Sequence, residues 1–132
     1  MMLPSSLLPA KQPGRDYRMT NVDVVEDGSV VTIIASGELA LSNVQEFGDE
    51  LRNAAASADI VIVDLRPAVF IDSAVINYLA VAARILKSRG RRLKVRVAEG
   101  SYPLRVLEIV GFSHLMDIDA EPPWPGGRPD EL

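Results

Sequence analysis

The run Ile60-Val61-Ile62-Val63 constrains what this chain can fold into more than any other feature. Four consecutive β-branched apolar residues suit a strand and suit a helix poorly. A strand with one face in water alternates apolar with polar residues. This one does not, so it is expected to be central in a sheet and covered on both sides. Asp64-Leu65-Arg66-Pro67 closes it, because proline has no N–H to give to a ladder. A strand of this kind predicts an α/β layer in which helices flank a sheet.

The neighbouring segments supply those elements. Tyr17–Val25 alternates loosely and predicts a first strand, with Val30–Ala35 as its partner across the turn Glu26-Asp27-Gly28-Ser29. After Gly37-Glu38-Leu39-Ala40-Leu41, Ser42 and Gln45 have the spacing of a capping box. The helix they open carries Val44, Phe47, Leu51 and Ala55 on one face and is expected to end near Ser57. Ala68-Val69-Phe70-Ile71 reads as a short link, and Asp72-Ser73 opens a second helix running to Arg89. Val75, Leu79, Ala82, Ala83 and Leu86 form its core stripe, and Gly90 suits its C-terminal end. Leu93, Val95 and Val97 alternate with Lys94 and Arg96, as in a strand with one exposed face. Ser101 starts a third helix with Leu104, Leu107, Glu108 and Val110 before Gly111. The order β-β-α-β-α-β-α gives a mixed central β-sheet, and right-handed crossovers place the helices mainly on one face.

A chain of 132 residues has room for one such domain. Residues 1–16, MMLPSSLLPAKQPGRD, lack a basic leading segment and are interrupted by Pro4 and Pro9. They are expected to be a disordered tail and not a signal peptide. Residues 17–120 are then the folded domain, and 121–132, EPPWPGGRPDEL, a Pro/Gly-rich flexible tail. No apolar run reaches the roughly 18 residues of a membrane span, so no membrane insertion is expected. With no cysteine there is neither a disulfide nor a thiolate site, which suits a cytoplasmic protein. A net charge of −4 argues against nucleic acid as a partner. The basic run Lys87, Arg89, Arg91, Arg92, Lys94, Arg96 reads as a helix end followed by a solvated strand face.

Little here points to catalysis. His114 is the one histidine, and no Walker, Rossmann or G-x-S-x-G pattern occurs. Asp64 and Asp72 sit at element boundaries, where aspartate caps and turns, and are not read as a carboxylate pair. No catalytic residue, cofactor or metal ligand is expected, so the chain is read as a non-enzyme. Ser73 is different. At a helix start it is either an ordinary N-cap or a phosphoacceptor, since free N–H groups and the helix dipole tolerate a phosphate there.

The segment from Val63 through Asp72-Ser73-Ala74 resembles the signature of STAS domains, named for sulfate transporters and anti-sigma factor antagonists. Gly37-Glu38-Leu39 resembles the Gly-Glu-Leu of that family, and Leu104 to Phe112 its third helix and closing turn. The likeness runs over roughly residues 20 to 118. It implies a single STAS-like α/β domain of the anti-sigma factor antagonist type, active in bacterial stress response. Such a protein binds an anti-sigma factor of the serine-kinase type and frees a sigma factor. Phosphorylation of the serine matching Ser73 switches it off, and a serine phosphatase restores it. The kinase brings the nucleotide chemistry, so no cofactor is implied, and a homodimer is compatible with the family. The implied partner interface is Glu38, Ala40, Leu41, Ser42, Asp72, Ser73, Ala74, Val75 and Asn77. Val75 stands where the family has glycine and Ala40 where many antagonists have aspartate, two changes expected on the partner surface with the core untouched. The alternative within the family is a constitutive scaffold, such as a stressosome-like subunit or the partner of a lipid or anion transporter.

Overall fold

The computed structural model describes residues 21–40 and 43–125. The described elements run β1 (Val22–Asp27), β2 (Val30–Ala35), β3 (Gly37–Leu39), α1 (Gln45–Ser57), β4 (Ile60–Asp64) and β5 (Ala68–Ile71). They continue through α2 (Ser73–Ser88), β6 (Leu93–Ala98), α3 (Tyr102–Val110), a 3-10 turn over Phe112–His114, and β7 (Met116–Glu121). The main sheet has the order β1-β2-β4-β6-β7, antiparallel only in the β1–β2 hairpin. β3 and β5 form a separate two-stranded parallel ribbon. The result is a mixed α/β domain with three helices, as the residue pattern implies.

β4 is central, and yet it is covered on one face only. Val61 and Val63 are fully buried among Ile33, Phe47, Leu51, Leu79 and Val95, whereas Ile60 is exposed and Ile62 half-buried. The register explains this correction: Ile62 lies beside Thr32 and Lys94, on the face away from the buried core. Its apolar run therefore does not require two layers of helices.

Four other expectations change. The first strand begins at Val22, and residues 17–20 lie outside the described ones. The link Ala68–Ile71 is a strand, because β3 offers it a hydrogen-bonding partner. The helix start also differs: α1 begins at Gln45 with Val44 in the cap position and no side-chain cap, and Ser42 of the expected capping box lies outside the described residues. Finally, β7 was not anticipated. Its Met116 is buried and Ile118 half-buried, while Asp117 and Asp119, alternating with them, disguise the strand.

β7 also ties down the start of the segment expected to be loose. Asp64, 2% exposed, pairs with Arg66 at 2.8 Å and with Arg96 at 3.7 Å, and Arg96 pairs with Glu121 at 2.9 Å. The Arg66 guanidinium lies 4.9 Å above the Trp124 ring. Its hydrogen bond to Asp64 raises the Arg66 pKa, and the hydrogen bond from Arg96 holds the Glu121 carboxyl below its ordinary value. Residues 126–132 lie outside the described ones.

α2 packs along α1. Gly48 makes this possible, since a Cβ there would run into the ring of Tyr78. Arg52 sits 6.0 Å over that ring, and Arg89 donates to the carbonyls of Ala55 and Ala58 at 2.8 and 2.9 Å. Arg89 thus satisfies carbonyls that the end of α1 leaves free. The rest of the basic run is largely paired: Arg91 with Asp59 at 3.0 Å, Arg92 with Asp117 at 2.8 Å and Lys94 with Asp117 at 3.8 Å.

Candidate functional site

The site is built where the β3–β5 ribbon meets the start of α2. Pairing of Glu38 with Phe70 and of Leu39 with Ile71 sets the Glu38–Ala40 segment beside Ile71-Asp72-Ser73. Asn43 fastens the corner: its Oδ1 accepts from the Ala40 N–H at 2.9 Å, and its Nδ2 donates to the Glu38 carbonyl at 2.9 Å. Two stretches that are 32 residues apart in sequence thereby share one surface by backbone pairing.

Asp72, not Ser73, caps the helix. Its Oδ1 accepts from the N–H groups of Ala74 at 2.9 Å and Val75 at 3.4 Å. Ser73 is then the first helical residue, with an exposed side chain that makes no hydrogen bond among the described residues. Of the two readings left open for this serine, the capping one is removed. Its hydroxyl stands at the positive end of a 16-residue helix, where an anion is favoured.

The other expected interface residues divide. Glu38 and Asn77 are exposed, and Ala40, Asp72 and Ala74 are half-buried. Leu41 and Ser42 lie outside the described residues. Val75 is a correction: its side chain is fully buried in the core. Position 75 is the third residue of α2 and points to the sheet, so the valine adds packing and no contact surface. His114 is exposed on the 3-10 turn, its Nδ1 3.1 Å from the Gly111 carbonyl oxygen.

The structure adds residues that periodicity alone does not single out. Phe70 stacks on Tyr102 with centroids 5.4 Å apart and rings 8° from parallel. Both are exposed, as is Val69. From this pair a groove of about 510 Å³ runs between α2 and α3, lined by Ser73, Ile76, Ala80, Val106 and Phe112 among others. The signal was the apolar residues of Ala68–Ile71, too many for a solvated link.

A family model described as "Mlab, STAS domain" matches residues 22–117. The chain belongs to the STAS domain family. Among solved structures, this STAS domain is similar to the unphosphorylated form of the anti-sigma factor antagonist SpoIIAA, with a TM-score of 0.58 and 16% identity over 76% of this chain and 88% of that one. It is similar to the phosphorylated form of the Bacillus cell fate determinant SpoIIAA, at 0.58 and 19% over 76% and 92%. A STAS domain protein from Planctomyces limnophilus matches at 0.63 and 18% over 77% and 91%. At these identities the likeness shows the fold. A search of curated proteins finds no match for this STAS domain. No helix among its described residues is long and apolar enough to cross a membrane.

Proposed function

We propose that this STAS domain is an anti-sigma factor antagonist: it binds a serine-kinase anti-sigma factor in the cytoplasm, frees a sigma factor, and is switched off by phosphorylation of Ser73. The observation that carries the reading is the division of labour at the start of α2. Asp72 holds the cap, so the Ser73 hydroxyl has no structural duty and faces solvent. A phosphate there adds about −1.5 to −2 charges while leaving the cap in place. The fold survives and the surface gains negative charge, which is what a reversible binding switch needs. The kinase supplies nucleotide and magnesium, a serine phosphatase resets the switch, and the chain itself catalyses no step. Glu38, Ala40, Asp72, Ala74 and Asn77 surround the serine as its contact surface.

A constitutive adaptor is the competing reading. Exposed Val69, Phe70 and Tyr102 beside the serine favour it, because permanent interfaces are the more apolar ones. One experiment separates the two: intact mass after incubation with ATP and serine-kinase anti-sigma factors, for the wild type and Ser73→Ala. The switch predicts one added phosphate in the wild type alone. A kinase that binds tightly and transfers nothing moves the assignment to the adaptor.

A further inference from the structure

We infer that the groove between α2 and α3 docks an acidic amphipathic helix of the partner, laid along α2 from Ser73 to Arg84. This rests on the partner-binding reading above and adds the chemistry of what binds. Ser73, Ile76, Asn77, Ala80 and Arg84 lie three or four residues apart and so form one stripe on α2. Tyr102, Val106 and Val110, four apart, form the facing stripe on α3. The stacking of Tyr102 on Phe70 brings the start of α3 next to the start of α2, and from there the two helices leave a gap.

The gap is apolar at its base, with Asp72 and Ser73 at one end and Arg84 at the other. Ala80 is buried and Ile76, Val106 and Phe112 half-buried, whereas Tyr102 and Val110 remain 48% and 41% exposed. Arg84 is exposed at the far end. Arg91, Arg92 and Arg96 all have carboxylate partners, but Arg84 makes no ion pair among the described residues. An apolar trough ending in an unpaired guanidinium is complementary to an apolar stripe ending in a carboxylate.

The walls decide the occupant's conformation. Both are helices whose backbone groups are satisfied internally, so an added strand would find nothing to pair with. A helix satisfies its own backbone and offers only side chains. Ser73 and Arg84 are separated by eleven residues of α2, which is ~16 Å or about three turns of an occupant helix. A phosphate on Ser73 then sits at the mouth of the groove, at the end away from Arg84, where its bulk meets the near end of the occupant helix.

The test is a selection of displayed random peptides, each about twelve residues long to match three turns, on the immobilised full chain. The expected winners carry apolar residues at i, i+3/i+4 and i+7 with Asp or Glu at one end. A synthetic winner, followed by fluorescence anisotropy, should bind about tenfold more weakly to Arg84→Glu, the scale of a charge pair lost at an interface. Val110→Ser, which leaves every charge in place, should also weaken it. Basic or neutral winners, no enrichment, or an affinity indifferent to Arg84→Glu and Val110→Ser overturns the inference. So does a concentration-dependent dimer abolished by Val110→Ser, which assigns the groove to a second copy. Groove-dependent binding without phosphate transfer to Ser73 keeps the docking and removes the switch. Phosphate transfer without groove-dependent binding does the reverse.

Discussion

Along one flank α2 meets α1 with glycine against ring: Gly48 faces Tyr78, Arg52 covers the ring, and Arg89 reaches across to the last carbonyls of α1. Along the other flank α2 faces α3 over a groove whose walls keep Tyr102 and Val110 in water. One helix thus carries a seam closed to atomic contact and a seam left open. Both are apolar, so hydrophobicity alone does not distinguish core from docking surface. What distinguishes them is whether the facing residue was reduced until the helices touch. Gly48 is that reduction on the α1 side, and nothing matches it on the α3 side.

The comparison breaks most readily at Gly48. Gly48→Ala places a methyl group in the Tyr78 ring, and overpacking of this kind costs about 1–3 kcal/mol, read from chemical denaturation. The decisive arm is the double variant. Once Tyr78→Ala has removed the ring, the same Gly48→Ala change should stabilise by about 1 kcal/mol, because alanine is the better helix former. A Gly48→Ala effect that is unchanged in the Tyr78→Ala background would mean the seam is not set by that contact. Next in size is Arg89→Met, which keeps most of the aliphatic stem and removes two charge-assisted hydrogen bonds to Ala55 and Ala58. A loss of about 1.5 kcal/mol is expected, the lower end for bonds to charged groups. Amide exchange in the last turn of α1 should accelerate in parallel.

The same contrast explains what could be read without coordinates. α1, α2, β6 and α3 were legible because each repeats its apolar residues at the period of its own element, and β2 and β4 because they are runs of apolar β-branched residues. Gly111 at φ 71° closes α3 where a glycine was expected to close it. β3, β5 and β7 were not legible. Gly37–Leu39 and Ala68–Ile71 are strands only because they meet each other, a pairing that neither short window contains. β7 alternates Met116 and Ile118 with Asp117 and Asp119, and the cations that pair with Asp117 lie on β6 or just before it. The candidate site was half legible. Asp72-Ser73 announced itself as a helix start, but which residue caps was decided by geometry, and Val75 belongs to the core stripe that helical periodicity gives it and not to the partner surface that the family resemblance implies. The groove was hidden for the opposite reason: Ile76, Val106 and Val110 look like ordinary core residues until the space between the helices is seen to be empty.

Where the two flanks begin, at the N-terminus of α2, Asp72→Ala removes the acceptor for the Ala74 and Val75 N–H groups. Loss of such a cap costs about 1 kcal/mol. Asp72→Asn, which keeps a side-chain acceptor, should recover most of it. If Ser73→Ala proved as destabilising as Asp72→Ala, the serine would be carrying structure after all, and its freedom to act as a phosphoacceptor would lose its basis. Equilibrium urea unfolding of the three variants side by side settles the order, with Ser73→Ala expected within about 0.5 kcal/mol of the wild type, as for surface changes in general.

The smallest effect is expected on the open flank. Val110 is 41% exposed, and its neighbour Ile109 is 77% exposed at the end of α3. In a core these residues would each contribute on the order of 1.5–3 kcal/mol through burial. Here the folded state leaves much of their surface in water, so removing it returns little. Val110→Ser and Ile109→Ser should each change stability by no more than about 0.5 kcal/mol, even though both replace a large apolar group by a small polar one. A cost of several kcal/mol for Val110→Ser would mean that the α3 side is already closed in solution and that the contrast between the two flanks does not exist. A near-zero cost places these apolar groups among residues that folding does not require, and for Val110, which lines the groove, that agrees with a docking surface.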